Sequence, residues 1–182
     1  LEQEIAERIQ KIPTRLNEYG FDQFGMEPAA ARTQLLLSAL LYRYWFRVET
    51  RGIEKVPFGR VLLIANHAGQ LPFDAAMVEV ALLIDKDPPR VARALVDTWV
   101  PTLPFVSTFM ARCGQIVGTP ENCRRLLAAD EAILVFPEGV RGLNKPFKER
   151  YQLRPFGPGF LRLALESGAP IVPIGVVGAE EQ

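Results

Sequence analysis

The sequence predicts an α/β fold, a largely parallel or mixed central sheet flanked by helices, with an N-terminal helical region. Short apolar runs, each closed by Gly, Pro, Asn or Asp, recur after residue 60. Segments of helical periodicity separate them, which is the alternation that parallel sheets require. Residues 1–46 stand apart as a helical region, after which the pattern changes to short β-rich runs separated by helical ones.

Residues 1–20 mix charges with isolated apolar positions and show no signal-peptide pattern. The stretch 35–46 is the most apolar, about a dozen residues against the ~20 a membrane-spanning helix needs. It reads as a helix packed on the core. A second reading is a helix in a membrane interface, with Tyr42, Tyr44 and Trp45 at headgroup level and Arg43 and Arg47 toward phosphates. Residues 46–51 suggest a first strand ended by Gly52 and Pro57. The run 60–65, ending at Asn66-His67, has the continuous apolarity of a strand buried on both faces. A helix is expected over 74–84, closed by Asp87-Pro88-Pro89. Further strands are expected at 91–96, 115–117, 132–136 and 170–177, and helices at 104–112, 120–129 and 159–166. The division is therefore an N-terminal helical region, 1–46, and one α/β domain, 47–182. A first residue other than Met, and a last strand running almost to Gln182, raise the expectation that the natural chain extends further at either end.

Composition narrows the function. With 182 residues, 48% hydrophobic and 23% charged, the chain is globular. Lys+Arg and Asp+Glu both number 21, and zero net charge argues against a nucleic-acid binder. Cys113 and Cys123 are too few for a disulfide framework, so a reducing, cytoplasmic setting is expected. With a single histidine they do not make a zinc site either, and no metal is expected. Ser38, Ser107 and Ser167 are the only serines, none in a G-x-S-x-G turn, which excludes an ordinary serine hydrolase.

Two polar clusters follow predicted strands, where α/β sheets gather their sites. The first is Asn66-His67-Ala68-Gly69-Gln70-Leu71-Pro72-Phe73-Asp74. His67 is a natural base near neutral pH and a carboxylate beside it would orient its ring, while Asp74 also suits a helix N-cap. The second is Phe136-Pro137-Glu138-Gly139-Val140-Arg141-Gly142, followed by Lys145, Lys148, Arg150 and Arg154. Its cations suit an anionic substrate group, and Glu138 could bond either loop amides or a substrate hydroxyl.

Asn-His…Asp, a Gly-containing segment at 113–117, Phe-Pro-Glu-Gly-x-Arg and the apolar Ile171-Val172-Pro173-Ile174 occur in that order. This ordered set resembles the glycerolipid acyltransferases, the group containing the lysophosphatidate acyltransferases, over roughly residues 45–181. The resemblance implies His67 as the catalytic base taking the acceptor's hydroxyl proton, and Asp74 as the acid that orients it. Glu138, Gly139 and Arg141 would form the acceptor-binding motif, with Lys145 beside it. It implies no bound cofactor, an acyl thioester donor (acyl-CoA or acyl carrier protein), a lipid hydroxyl acceptor, and a peripheral place on a membrane surface at its cytoplasmic side. Two departures stand out. Six residues separate His67 from Asp74 where the family pattern has four, and the intermediate motif reads Gly114-Gln115-Ile116-Val117-Gly118 without the arginine often found there. The form His-Ala-Gly-x-Leu-Pro-x-Asp, with Arg-Tyr-x-Leu-x-Pro-Phe-x-x-Gly-Phe near 150–160, looks more like the monoacylglycerol and diacylglycerol acyltransferase-like branch. Two alternatives stay open: a non-catalytic lipid-binding domain of the same fold, and a thioesterase pairing His67 with Cys113 or Cys123.

Overall fold

The computed structural model describes residues 1–69 and 71–181; Gln70 and Gln182 lie outside the described residues. The strands are β1 (Val61–Ala65), β2 (Ala92–Val96), β3 (Ile116–Val117), β4 (Ala132–Val135) and β5 (Ile171–Ile174). The helices are α1 (Glu2–Gln10), α2 (Pro28–Leu40), α3 (Phe73–Ile84), α4 (Val106–Arg112), α5 (Pro120–Ala128), α6 (Val140–Leu143) and α7 (Gly159–Ser167). Each described strand ladder is parallel: β1 with β4 from Val61↔Ala132, β1 with β5 from Leu62↔Ile171, and β2 with β3 from Leu95↔Ile116. The fold is α/β, and of the two sheet types expected it takes the parallel one.

Two compact units, interleaved in sequence, make up the chain: Leu1–Val56 with Ala76–Gly118, and Pro57–Ala75 with Thr119–Gln182. In the second unit β1 lies between β4 and β5, and all five of its residues are buried. That double-sided burial is why Val61-Leu62-Leu63-Ile64-Ala65 is apolar throughout. Thr119 caps α5 by accepting the amide of Asn122 at 3.2 Å, with Pro120 in the first turn.

In the first unit, Ile5, Leu35, Ala39, Tyr42, Met77, Val80 and Leu83 belong to one apolar core. The segment 35–46 is thus a core helix on one face. It leaves α-helical geometry at Leu41, continuing to Trp45 as a π-helical turn. Tyr42 is 5% exposed and its hydroxyl donates to Asp85 Oδ2 at 2.5 Å, so it cannot reach a membrane as expected. Arg43 is held by Glu4 at 3.0 and 3.1 Å. Leu37, Leu40, Tyr44 and Trp45 remain exposed, Trp45 at 73%. No helix among the described residues is long and apolar enough to cross a membrane.

The strand expected at 46–51 does not form. Arg47 takes a left-handed φ of 50°, which breaks an extended run, and Val48 gives its amide to Tyr42 O at 3.0 Å rather than to a ladder. The other expected strands and helices are present, with ends shifted by a few residues.

Glu79, on α3, is buried and accepts Gln115 Nε2 at 3.0 Å and Gln34 Nε2 at 3.4 Å. Burial pushes its carboxyl up to about 7, against a smaller lowering by those amides and the Arg93 charge. Between its ordinary value of 4.5 and about 7, the folded chain keeps a proton that the unfolded chain releases. Stability therefore falls as pH rises through that window, by on the order of 3 kcal/mol. In urea titrations from pH 4.5 to 7.5, Glu79→Gln is expected to flatten this slope; an unaltered slope would assign it to another group.

Candidate active site

β1 delivers Asn66 and His67 at its C-terminal end, within the second unit. Asn66 continues the β1–β5 ladder with its side chain, Nδ2 donating to Val176 O at 2.9 Å and Oδ1 accepting Val176 N at 2.7 Å. This explains why β5 ends at Ile174 although the apolar run continues to Val177.

His67 Nδ1 lies 2.5 Å from Asp74 Oδ2. The same oxygen accepts Ala68 N at 3.0 Å, and Oδ1 accepts Ala75 N at 2.8 Å. Asp74 is 1% exposed. It stands inside the first turn of α3, where three donors fix its carboxylate, rather than preceding the helix as an N-cap. The six-residue spacing is compatible with closure of the pair. Gly69 takes a left-handed φ of 83°, open to glycine. A carboxylate at Nδ1 places the proton of the neutral imidazole there and leaves Nε2 as an acceptor. The ring stacks on Phe136, centroids 4.1 Å apart and planes 23° from parallel.

The loop after β4 supports this arrangement from below. Glu138, buried, accepts His67 N at 2.9 Å on Oε1 and Arg154 N at 2.7 Å on Oε2. Of the two roles open to it in the sequence, it takes the loop-fixing one. Lys145 is likewise turned inward: its Nζ donates to Glu180 Oε1 at 2.5 Å and Gln152 O at 3.1 Å, and lies 3.7 Å from Glu138 Oε2. Both side chains, expected at the acceptor, are engaged here by protein partners. Gly139 holds φ 57° and ψ −151°, a conformation nearly confined to glycine, and starts α6. Arg141, on α6, is exposed and pairs with none of the described residues.

The close approach of α6 to the histidine left no sign in the sequence. A Cβ placed on Gly142 would lie 2.8 Å from His67 Cβ, 2.9 Å from His67 O and 3.0 Å from Glu138 Cβ. The backbone of α6 thus packs directly on His67.

The intermediate motif belongs to the first unit, where Gln115 is engaged with Glu79. Arg124, offset from that motif, pairs with Glu166 at 3.0 Å. Both cysteines are buried. Burial, with the Glu79 charge, pushes the Cys113 thiol up to about 11, and burial also raises Cys123. A thiolate nucleophile is therefore disfavoured at either position, and the thioesterase reading loses its chemistry. With Asp74 seated on His67, the six-residue spacing is no ground for a non-catalytic domain.

The sequence profile described as Acyltransferase matches residues 47–177. The chain belongs to the Acyltransferase family. It is 41% identical over 189 residues to an uncharacterized protein of Mycobacterium leprae, covering 98% of this chain and 51% of the relative. It is 31% identical over 150 residues to mouse 1-acyl-sn-glycerol-3-phosphate acyltransferase alpha, covering 78% of this chain and 49% of that protein. Similarity also extends to a mouse protein named DGAT1/2-independent enzyme synthesizing storage lipids, 27% identical over 130 residues, 71% of this chain and 39% of the relative. The chain spans about half the length of the curated relatives it matches. Within the Acyltransferase match lie Asn66, His67, Asp74 and the 136–142 loop, all in the second compact unit.

Proposed function

We propose that the protein is an O-acyltransferase that moves a fatty acyl group from an acyl thioester, acyl-CoA or acyl carrier protein, to a hydroxyl of a glycerolipid or lysophospholipid. The pairing of His67 Nδ1 with Asp74 Oδ2 at 2.5 Å carries this reading. In the reaction, His67 Nε2 accepts the proton of the acceptor hydroxyl as its oxygen attacks the thioester carbonyl. The C–O bond forms, the C–S bond breaks, and the proton passes on to the departing thiolate. Asp74 holds the ring and stabilises the imidazolium formed in passing. Arg141 is the exposed cation of the Phe-Pro-Glu-Gly-x-Arg loop and the group suited to an acceptor phosphate.

The test is transfer by the purified full-length protein from labelled long-chain acyl-CoA to lysophosphatidate, monoacylglycerol and diacylglycerol. Arg141→Ala is expected to raise KM for lysophosphatidate about 10- to 100-fold, the usual effect of removing a charge-assisted hydrogen bond, and to leave neutral acceptors unaffected. An equal effect on all three would remove phosphate recognition from Arg141 and favour the neutral-acceptor branch. Absence of transfer from both acyl-CoA and acyl carrier protein, with the protein folded, would overturn the proposal.

The lipid acceptor requires access to a bilayer, and we assign the docking surface to Leu37, Leu40, Tyr44 and Trp45, all exposed. On this reading the protein is peripheral to the membrane, on its cytoplasmic side. Leu37→Ser with Trp45→Ser is expected to reduce flotation with anionic vesicles about tenfold, in line with the area each residue would bury. Unchanged flotation would locate docking elsewhere.

A further inference from the structure

Glu138 fixes the amide of His67, and two further charged groups fix Glu138. Its side chain is fully buried, with both oxygens already accepting backbone amides. Lys145 Nζ, itself 4% exposed in its side chain, supplies the positive charge 3.7 Å away. Lys145 is held in turn by Glu180 at 2.5 Å, and Glu180 also accepts the amide of Tyr151. Burial alone would raise the Glu180 carboxyl, yet the hydrogen bonds from Lys145 and Tyr151 and the Lys145 charge hold it below the usual carboxylate range. Two carboxylates thus share one ammonium along a line from the 3-10 turn Ala179–Glu181 to the backbone of His67.

We infer that Lys145 and Glu180 are positioning residues for His67, acting through Glu138, and that Lys145 does not touch the acceptor. Glu138 accepts the two amides with its two oxygens, and Lys145 stands between it and Glu180. Without Lys145 the two buried carboxylates lose the ammonium they share, Glu138 shifts away, and its hold on His67 N and Arg154 N loosens. Glu180 seats the ammonium by taking up its other side. In its effect on turnover the inference rests on the acyltransferase reading; its effect on the histidine does not.

The experiment therefore begins with the ring itself. The 182-residue chain carries one histidine, His67. In the full-length protein labelled with 15N-histidine, the signal absent from His67→Gln reports the Nδ1–H facing Asp74. Lys145→Met is expected to shift or broaden that signal, and Lys145→Arg to restore it. Glu180→Gln should move it in the same direction by less. In acyl transfer, Lys145→Met should lower kcat roughly tenfold or more, as loss of a residue behind a reacting group does, with acceptor KM within twofold. An unmoved histidine signal together with a raised acceptor KM would overturn the inference and return Lys145 to the acceptor. Should Lys145→Met fail to fold, Glu180→Gln decides: a folded variant with the wild-type histidine signal refutes the relay. If the wild-type protein transfers no acyl group, the spectrum still settles the positioning role, so the two readings fail separately.

Discussion

Asp74→Asn is expected to lower acyl transfer by roughly 10³- to 10⁴-fold, about as far as His67→Ala, while the chain stays folded. The carboxylate accepts from His67 Nδ1, Ala68 N and Ala75 N. Asparagine retains one acceptor oxygen; placed at the Oδ2 position, it would leave the NH2 group meeting the Ala75 amide donor to donor. With the oxygen on Ala75 N instead, the NH2 group faces His67 Nδ1 as a donor, so the ring presents a lone pair there and moves its proton to Nε2. That is the atom which must be free to take the hydroxyl proton, so the ring is present in the wrong tautomer. The His67→Ala/Asp74→Asn double variant should lose little more than either single one, because the two side chains act as a unit. Turnover measured under single-substrate saturation checks this. A variant keeping more than about a tenth of wild-type turnover would contradict orientation by Asp74, and additive losses would separate the two residues' roles.

The parts of the site that were legible in the sequence are those whose chemistry is unusual for their place. A histidine closing an apolar strand and an acid starting a helix stand out because neither is needed for burial. The strand β1 was legible for the converse reason, since only a central strand buried on both faces of its sheet is free to be apolar at five successive positions. Residues 46–51 misled because their composition suits a strand, while the geometry is set by the π-helical turn before them and by Arg47. Lys145 shows the opposite case. A lysine in a basic loop reads as surface charge, and its burial depends on Glu180, 35 residues further along. Asn66 and Glu138 act on backbone groups of Val176, His67 and Arg154, and backbone partners leave no residue type by which to trace them. Tyr42 belonged to the same apolar run as Trp45, yet one faces the core and the other solvent. Only the helical rotation separates them.

Gly142→Ala should cripple the enzyme through packing alone. The new methyl would stand 2.8 Å from His67 Cβ and 2.9 Å from His67 O, closer than carbon atoms pack without something moving. His67 O and the backbone of α6 are not the free ends of flexible side chains, so the strain cannot be relieved by a rotamer change. Glu138 Cβ, 3.0 Å away, blocks the remaining direction. The cheapest relaxation separates α6 from the end of β1, which stretches the bond from His67 N to Glu138 and shifts the ring against Asp74. Overpacking of this kind costs about 1–3 kcal/mol of stability. Its larger consequence is on rate, since displacement of a reacting group by about 1 Å costs on the order of 100-fold. We therefore expect kcat to fall about 100-fold or more in Gly142→Ala, a far greater change than the modest drop in melting temperature implies. Gly159→Ala is the control, because a methyl there meets nothing within 4 Å and lies at the start of α7; its turnover should match wild type. Wild-type turnover in Gly142→Ala would mean that α6 can retreat without moving His67, and the histidine's placement would then rest on Glu138 and Asp74 alone.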